Sequence, residues 1–192
     1  LPSTSTPKWV TSHRQAKTRW LDYTVLDDVA VFGKDSAANA ITPDSAAWQV
    51  ARASGAVTDV DGSRTATLLI PPSTHATNLT ASQYTIRLSE ATKGAAGDPT
   101  NINGPAAMPA DLPPQSGYTY ALETSMDEAD AAGLTSVAFN NPLLFYVENF
   151  IGVPLDGDAG ATVPAGYYDR EAGVWQQDQL DGGPAQNGRS LK

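Results

Sequence analysis

Short stretches of alternating apolar and polar residues recur along the chain, and glycine or proline residues separate them. Residues 84–88 (YTIRL) place three large apolar side chains on one face of a predicted strand and two polar side chains on the other. Residues 64–70 show the same alternation, and the Asp-Gly at 61–62 predicts a hairpin turn that joins them to residues 48–60. This period of two predicts antiparallel strands as the main elements of the fold.

One short helix is predicted directly after another strand. Residues 118–124 (YTYALET) have the alternation of a strand. Ser125 and Glu128 have the spacing of a capping box, and Gly133 is typical of a helix C-terminus, so we expect residues 126–132 to be helical. No amphipathic helix is long enough to connect parallel strands.

Further strands are predicted at intervals of about 8–12 residues, a spacing typical of β-sandwiches. They cover residues 20–32, 135–139, 143–150, 166–168 and 173–176. The predicted fold class is therefore mainly β, with two antiparallel β-sandwich lobes of immunoglobulin-like type and one short helix.

Changes in composition divide the chain into five segments. Residues 1–19 form a basic polar arm, and residues 179–192 form a polar tail that we expect to be frayed. Residues 93–117 are rich in proline and glycine, which predicts a connection between lobes. The two predicted lobes are residues 20–92 and 118–178.

The composition excludes several classes of function. The chain has 192 residues, no cysteine and a formal net charge of −9. Without cysteine it forms no disulfide or zinc–thiolate site, and its acidity argues against binding nucleic acid or an anionic membrane through a basic surface. No apolar run reaches the ~18 residues of a membrane-spanning helix, so no membrane insertion is expected. Because the chain begins at Leu1 without methionine, we expect a mature fragment or an excised piece.

The charges are unevenly distributed. Residues 94–169 contain ten acidic residues and no lysine or arginine. We expect the basic arm to contact this acidic region, within a molecule or between molecules, and salt to weaken the contact. The basic residues of the arm are Lys8, Arg14, Lys17 and Arg19.

Two acidic segments are candidates for calcium binding, because Ca²⁺ prefers clustered carboxylate and carbonyl oxygens. Asp59 and Asp61 have alternate-residue spacing next to a glycine, as do Asp156 and Asp158. Neither segment continues into the twelve-residue pattern of an EF-hand. Both are also typical of plain turns, and no other cofactor is indicated.

The sequence does not predict an enzyme. Glu148 lies among aromatic residues and Glu123 lies on another predicted strand, so these two are the carboxylates to test for a glycoside hydrolase. The alternative is that Glu148 is the outward polar residue of a half-buried strand. Exposed aromatic residues could instead bind carbohydrate. The candidates are Trp9, Trp20, Trp48, Trp175, Tyr167 and Tyr168.

Two longer stretches resemble known families. Residues 54–72 (SGAVTDVDGSRTATLLIPP) are similar to a ZU5-like β-sandwich segment. Residues 103–175 resemble the region that follows it in large secreted bacterial proteins of the RHS/YD-repeat class. The similarity lies in residues 104–109 (GPAAMP), 112–120 (LPPQSGYTY), 142–150 (PLLFYVENF) and 163–170 (VPAGYYDR).

This resemblance implies a role as scaffold. In that class the corresponding region is a non-catalytic β-rich segment that precedes a shell of YD repeats, and the repeats themselves are absent from this chain. The resemblance carries over no catalytic residue, and it implies a secreted or cell-surface protein that contains ZU5-like sandwiches.

We therefore expect a non-catalytic structural or interaction module that packs against neighbouring domains or copies of itself. The expected contact residues are Phe145, Tyr146 and Phe150 together with the four basic residues of the arm. The alternatives are a carbohydrate-binding module or adhesin domain, and a glycoside hydrolase that uses Glu148 and Glu123.

Overall fold

A computed structural model describes residues 9–10, 18, 20–25, 31, 33–59, 62–91, 120–150, 162–164, 166–169, 172–177 and 187–189. Within these residues the prediction of a mainly β fold with antiparallel sheets and one short helix is confirmed. The elements follow in this order: β1 (Asn39–Ile41), β2 (Gln49–Arg52), β3 (Val57–Asp59), β4 (Gly62–Arg64), β5 (Thr67–Ile70), β6 (Tyr84–Glu90), β7 (Leu122–Met126), α1 (Asp127–Ala131), β8 (Leu144–Tyr146), β9 (Thr162–Pro164), β10 (Gly166–Asp169), β11 (Val174–Gln177) and β12 (Asn187–Arg189).

One three-stranded sheet has the order β1-β6-β7. Its central strand confirms the alternation read from the sequence, because Tyr84, Ile86 and Leu88 are buried whereas Thr85 and Arg87 are not. These three apolar side chains form one face of the sheet and pack into the core.

A second three-stranded sheet has the order β2-β5-β8. Its buried face includes Ala51 on β2 together with Leu68 and Ile70 on β5. Both sheets contribute side chains to one hydrophobic cluster, which includes Met126 at the end of β7 and also takes in Ala129 of the helix. That the sheets form sandwiches stays a prediction.

The remaining strands pair in twos. The predicted hairpin is present as β3 paired with β4 and, further from the turn, β2 paired with β5. Gly62 was expected in the turn but is the first residue of β4, in register with Asp59. β10 pairs with β11 as expected from residues 166–176. β12 pairs with β9, so part of the expected frayed tail is a strand.

The strand pairing differs from the expected division into two lobes. β7 and β8 come from residues 118–178, yet they pair with β6 and β5 of residues 20–92. β5 and β6 both bury apolar side chains and are central strands that need a neighbour on each side. The expected boundary therefore does not divide these two sheets.

The predicted capping box is absent. Ser125 is a buried residue of β7, and Met126 is the helix N-cap without a side-chain hydrogen bond. Glu128 instead accepts hydrogen bonds from the backbone N–H (2.7 Å) and the hydroxyl (2.8 Å) of Thr85. Its carboxylate thus holds the helix against β6 and does not cap its own helix.

The C-terminus of the helix follows the prediction. Gly133 has φ +70°, and its N–H donates to the carbonyl of Asp130 while that of Leu134 donates to Ala129. These are the two bonds of a Schellman motif. Residues 135–139 form no strand, and only Phe139 makes an isolated bridge, to Ala76.

Candidate interaction surface

The face of the β2-β5-β8 sheet opposite the core carries a row of apolar side chains. Val50 is in register with Leu69, and Leu69 with Leu144. Because side chains alternate along a strand, these residues point away from the face that buries Ala51 and Leu68. Val50 is 50% exposed and Leu144 is 47% exposed. The row is therefore an apolar strip that water reaches at both ends.

β8 is an edge strand with three consecutive exposed apolar residues. Leu144, Phe145 and Tyr146 are 47%, 46% and 43% exposed. Among the described residues β8 pairs only with β5, so its second edge presents backbone groups without a strand partner. We call these three residues the docking edge. The expected contact residues Phe145 and Tyr146 both belong to it.

Aromatic contacts fix the docking edge to the interior. The ring of Phe145 stacks on Tyr120 with 5.8 Å between centroids, and Phe150 meets Tyr120 edge-on at 5.9 Å. The guanidinium of Arg64 lies over the Phe150 ring, 4.4 Å from its centroid. Phe150 therefore anchors the segment after β8, whereas Leu144 and Tyr146 remain accessible.

A buried ion pair lies behind these rings. Arg64 Nη2 is 2.6 Å and Nε 2.7 Å from Glu90 Oε1. The side chains are only 1% and 6% exposed. A charge pair removed from water in this way depends on both partners, because removing one takes the opposite charge away from a side chain that stays buried.

The two carboxylates considered for hydrolysis lie in different parts of the fold, Glu123 on β7 and Glu148 after β8. Glu148 Oε2 accepts a hydrogen bond from the backbone N–H of Thr65 at 2.5 Å. Glu123 is in register with Ser89, whereas Glu90 is in register with Leu122. Since side chains alternate along β7, Glu123 lies on the sheet face opposite that of Glu90. Glu148 therefore contributes to holding the segment after β8.

Tyr120 is half-buried, and its hydroxyl group is buried. Its oxygen has no hydrogen-bond partner among the described residues. Burial raises the pKa of Tyr120, the negative charges of Glu90 and Glu148 raise it further, and Arg64 lowers it. Because the fold disfavours the phenolate, ionisation of Tyr120 does not affect the free energy of unfolding below the ordinary pKa of ~10, and that free energy falls as the pH rises from there.

We expect Tyr120→Phe to raise the free energy of unfolding at neutral pH by about 1 kcal/mol, because it removes a buried unpaired hydroxyl. Above pH ~10 the native chain should lose about 1.4 kcal/mol per pH unit relative to the variant. Urea unfolding between neutral and alkaline pH measures both effects. A variant that is less stable at neutral pH, with an unchanged pH profile, would contradict this account.

A small polar groove lies near the other end of the ion pair. It has a volume of about 210 Å³, and its lining includes Asp35, Ser54, Ser89 and Glu90. The Ser54 hydroxyl donates to Asp35 Oδ2 (2.8 Å), and the Asp35 N–H donates to Ser89 Oγ (2.7 Å). These bonds connect residues 33–36 to β6 and to the segment that follows β2. The polar groups of the groove that form them therefore stabilise the fold.

The predicted calcium and arm residues lie largely outside the described residues. This holds for Asp61, Asp156 and Asp158, for the side chain of Asp59, and for Lys8, Arg14, Lys17 and Arg19. Within the described part of the chain, no group of three or more histidine or acidic residues could hold a metal ion. Only the backbone of Asp59 is described, and Asp59 is the last residue of β3.

A second exposed apolar surface includes Trp20, which is a candidate for carbohydrate binding, and three neighbours that the sequence does not single out. Trp20, Leu21, Tyr23 and Val25 are each at least 90% exposed. The described residues 20–25 form neither helix nor strand, although a strand was predicted from residue 20 onwards. We call residues 20–25 the exposed segment. Its alternating apolar residues favoured a strand, but alternation alone does not supply a neighbouring strand to pair with.

No protein-family model, curated protein or solved structure matches the chain. None of the helices in the described residues is long and apolar enough to span a membrane.

Proposed function

We propose that this chain is a non-catalytic interaction module of a secreted or cell-surface bacterial protein, which packs against a neighbouring domain or another copy through the docking edge. The observation that carries the proposal is the exposure of Leu144, Phe145 and Tyr146 on an edge strand. Edge strands in free domains are normally shortened, charged or covered, because they can pair with other chains. This edge has no charged residue between positions 142 and 147.

Preorganisation supports the same proposal. The stacking of Phe145 on Tyr120 and the hydrogen bond from Thr65 to Glu148 fix the edge in place before a partner arrives. Binding of an incoming strand then costs this chain little further conformational entropy. Backbone hydrogen bonds would supply affinity, and the exposed side chains would select the partner. The resemblance to RHS/YD-repeat proteins adds a scaffold context to this role.

Amide hydrogen exchange tests the proposal. In the dilute chain the amides of residues 144–146 that face away from β5 should exchange rapidly. They should become protected at high protein concentration or within the parent polypeptide, because a strand partner then occupies them. Equal exchange rates in all three samples would contradict the proposal.

We expect Leu144→Lys to weaken the association by about tenfold or more, since a charge on the docking edge opposes strand addition. The matched control is Val50→Lys, which changes a residue of similar exposure on the same face but on β2. Sedimentation velocity over a concentration series measures both variants. Equal weakening by the two variants would place the contact on the sheet face, and no weakening by Leu144→Lys would contradict docking at the edge.

Carbohydrate binding is a second candidate, favoured by exposed tryptophans. Trp9, Trp20 and Trp48 are 59%, 90% and 56% exposed. A glycan array with the native chain and with Trp48→Ala tests it, because stacking on sugar rings requires the indole. Binding to a glycan class that Trp48→Ala abolishes would favour an adhesin role. The absence of binding to any glycan would exclude it.

A further inference from the structure

We infer that two copies of this chain associate through their docking edges, β8 against β8, as an antiparallel pair with Phe145 at the two-fold axis. This inference rests on the proposed function and names its partner. The docking edge and the residues around it are described without interruption from residue 120 to residue 150. Within the described residues β8 has β5 on one side and no strand on the other.

The sequence around Phe145 is apolar to the same extent in both directions. Residues 143–147 read LLFYV, so two apolar residues precede Phe145 and two follow it. In an antiparallel pair centred on Phe145, Leu144 faces Tyr146 of the second copy, and residue 143 faces residue 147. Every apolar side chain of this stretch therefore meets another apolar side chain, and such cross-strand pairs stabilise a sheet.

The residues at the two ends of this stretch favour the same register. Pro142 has no N–H to donate to a ladder, and Glu148 is charged. Moving the axis to Leu144 would place Pro142 opposite Tyr146 of the second copy, and moving it to Tyr146 would place Leu144 opposite Glu148. An axis at Phe145 keeps both end residues outside the five apolar pairs.

This register also keeps the two faces of the combined sheet distinct. Leu144 and Tyr146 lie on the face opposite the core, whereas Phe145 lies on the core side and stacks on Tyr120. The apolar strip of one copy would therefore continue into Tyr146 of the other. The two Phe145 rings would meet at the axis, where an aromatic pair adds to the stabilisation from buried area.

The other edge of the same sheet is covered by a side chain. The Asn39 amide donates to the carbonyl of Arg52 on β2 at 2.9 Å, and its oxygen accepts the N–H of Arg52 at 3.0 Å. The side chain of Gln49 on β2 in turn bonds both backbone groups of Thr42, each at 2.8 Å. These contacts occupy part of the β2 edge and tie it to the end of β1, so β8 is the edge at which this sheet can grow.

The charges of the chain favour a contact at an uncharged strand. Each copy carries a net charge of −9, but no charged residue lies between positions 142 and 147. The two Glu148 carboxylates would lie about 20 Å apart at ~3.3 Å per residue, beyond the Debye length of ~8 Å at physiological salt. Salt would screen the general repulsion between two acidic chains, so association should strengthen as salt rises. A contact between the basic arm and the acidic region would weaken instead.

Contact between two identical edges is isologous, so the copies would form closed dimers and not open chains. The two three-stranded sheets would join into one sheet with the strand order β2-β5-β8-β8-β5-β2. Its outer edges would be the two β2 strands, which the Asn39 side chains partly cover. Growth of the sheet would therefore stop at the dimer.

Disulfide cross-linking tests this contact and its register, because the native chain contains no cysteine. Full-length Leu144→Cys and Tyr146→Cys would be mixed, equilibrated and oxidised. Directly opposed residues have Cα atoms about 4.5–5.5 Å apart, within the range of a disulfide, whereas residue 144 of one copy lies about 8 Å from residue 144 of the other. We expect several-fold more covalent dimer in the mixture than in either variant alone.

Val50→Cys is the matched control for Leu144→Cys, because the two side chains have similar exposure on the same face and Val50 lies on β2. Mixed with Tyr146→Cys, it should give no more dimer than Tyr146→Cys gives alone. Sedimentation velocity of the native chain adds a measurement without any substitution. The fraction of dimer should rise with protein concentration and with salt.

Other results would overturn the inference in distinguishable ways. Equal yields of dimer from the mixture and from each single variant would indicate random collision or another register. Association of the native chain that weakens with salt would indicate a contact of the basic arm. A native chain that stays monomeric, with residues 144–146 protected only within the parent polypeptide, would make a neighbouring domain the partner and leave the proposed function standing. A lack of protection in every sample would overturn both.

Discussion

Replacing Arg64 with alanine is expected to lower the free energy of unfolding by about 3–5 kcal/mol, which is the usual cost of removing one partner of a buried ion pair. The substitution leaves Glu90 6% exposed and without the two bonds to its Oε1. It also removes the cation above the Phe150 ring, 4.4 Å from the ring centroid. We therefore expect the substitution to destabilise the segment that follows the docking edge as well.

Urea unfolding of three variants separates the loss of charge from the loss of packing. Arg52→Ala removes an exposed arginine of β2 and should change stability by less than about 0.5 kcal/mol. The double variant Arg64→Met with Glu90→Leu replaces both charges with apolar groups and should recover most of the lost stability. If Arg64→Ala cost no more than Arg52→Ala, the pair would not be buried as described.

The alternation of apolar and polar residues predicted the strands well, because the pattern within one strand is enough to identify its buried face. Residues 84–88 were placed on the correct faces, since burial of Tyr84, Ile86 and Leu88 requires nothing beyond the period of two. Pairing partners were harder to predict. Leu122–Met126 and Leu144–Tyr146 look like strands of a later domain, but the strands beside them come from residues far earlier in the chain.

The candidate interaction surface could be predicted only in part for the same reason. The aromatic residues Phe145 and Tyr146 of β8 and Phe150 after it stand out in the sequence, so they could be proposed directly. The apolar row of Val50, Leu69 and Leu144 exists only through the register of three strands, and no pattern within one strand reveals it. The ion pair of Arg64 and Glu90 likewise joins residues from different sheets.

A series of side-chain contacts connects the buried ion pair of Arg64 and Glu90 to the docking edge. Arg64 supports Phe150, the ring of Phe150 meets Tyr120, and Tyr120 stacks on Phe145 within the edge strand. A chain of close contacts therefore connects a buried charge pair to an exposed surface. Substitutions behind the edge should alter binding as well as stability, because they loosen an acceptor that is otherwise fixed before its partner arrives.

Replacing Gly62 with alanine tests whether the β3–β4 hairpin is connected to the docking edge through Phe150. Gly62 has φ +130°, a conformation that residues with a side chain rarely adopt. A Cβ there would lie 2.9 Å from the carbonyl oxygen and 3.2 Å from the Cβ of Phe150. We expect the free energy of unfolding to fall by about 2–3 kcal/mol from backbone strain and contact together. The amides of residues 144–146 should also exchange faster, because Phe150 must move.

Two other glycines separate the causes of this effect. Gly133 also has a positive φ (+70°) but has open space around its Cβ position, so Gly133→Ala should cost about 1 kcal/mol from the backbone alone. Gly55 has neither a positive φ nor a neighbour within 4 Å, and Gly55→Ala should leave stability within about 0.5 kcal/mol of the native chain or slightly above it. Thermal or urea unfolding ranks the three variants. If Gly62→Ala cost no more than Gly133→Ala and left exchange at the docking edge unchanged, Phe150 would not couple the β3–β4 hairpin to β8.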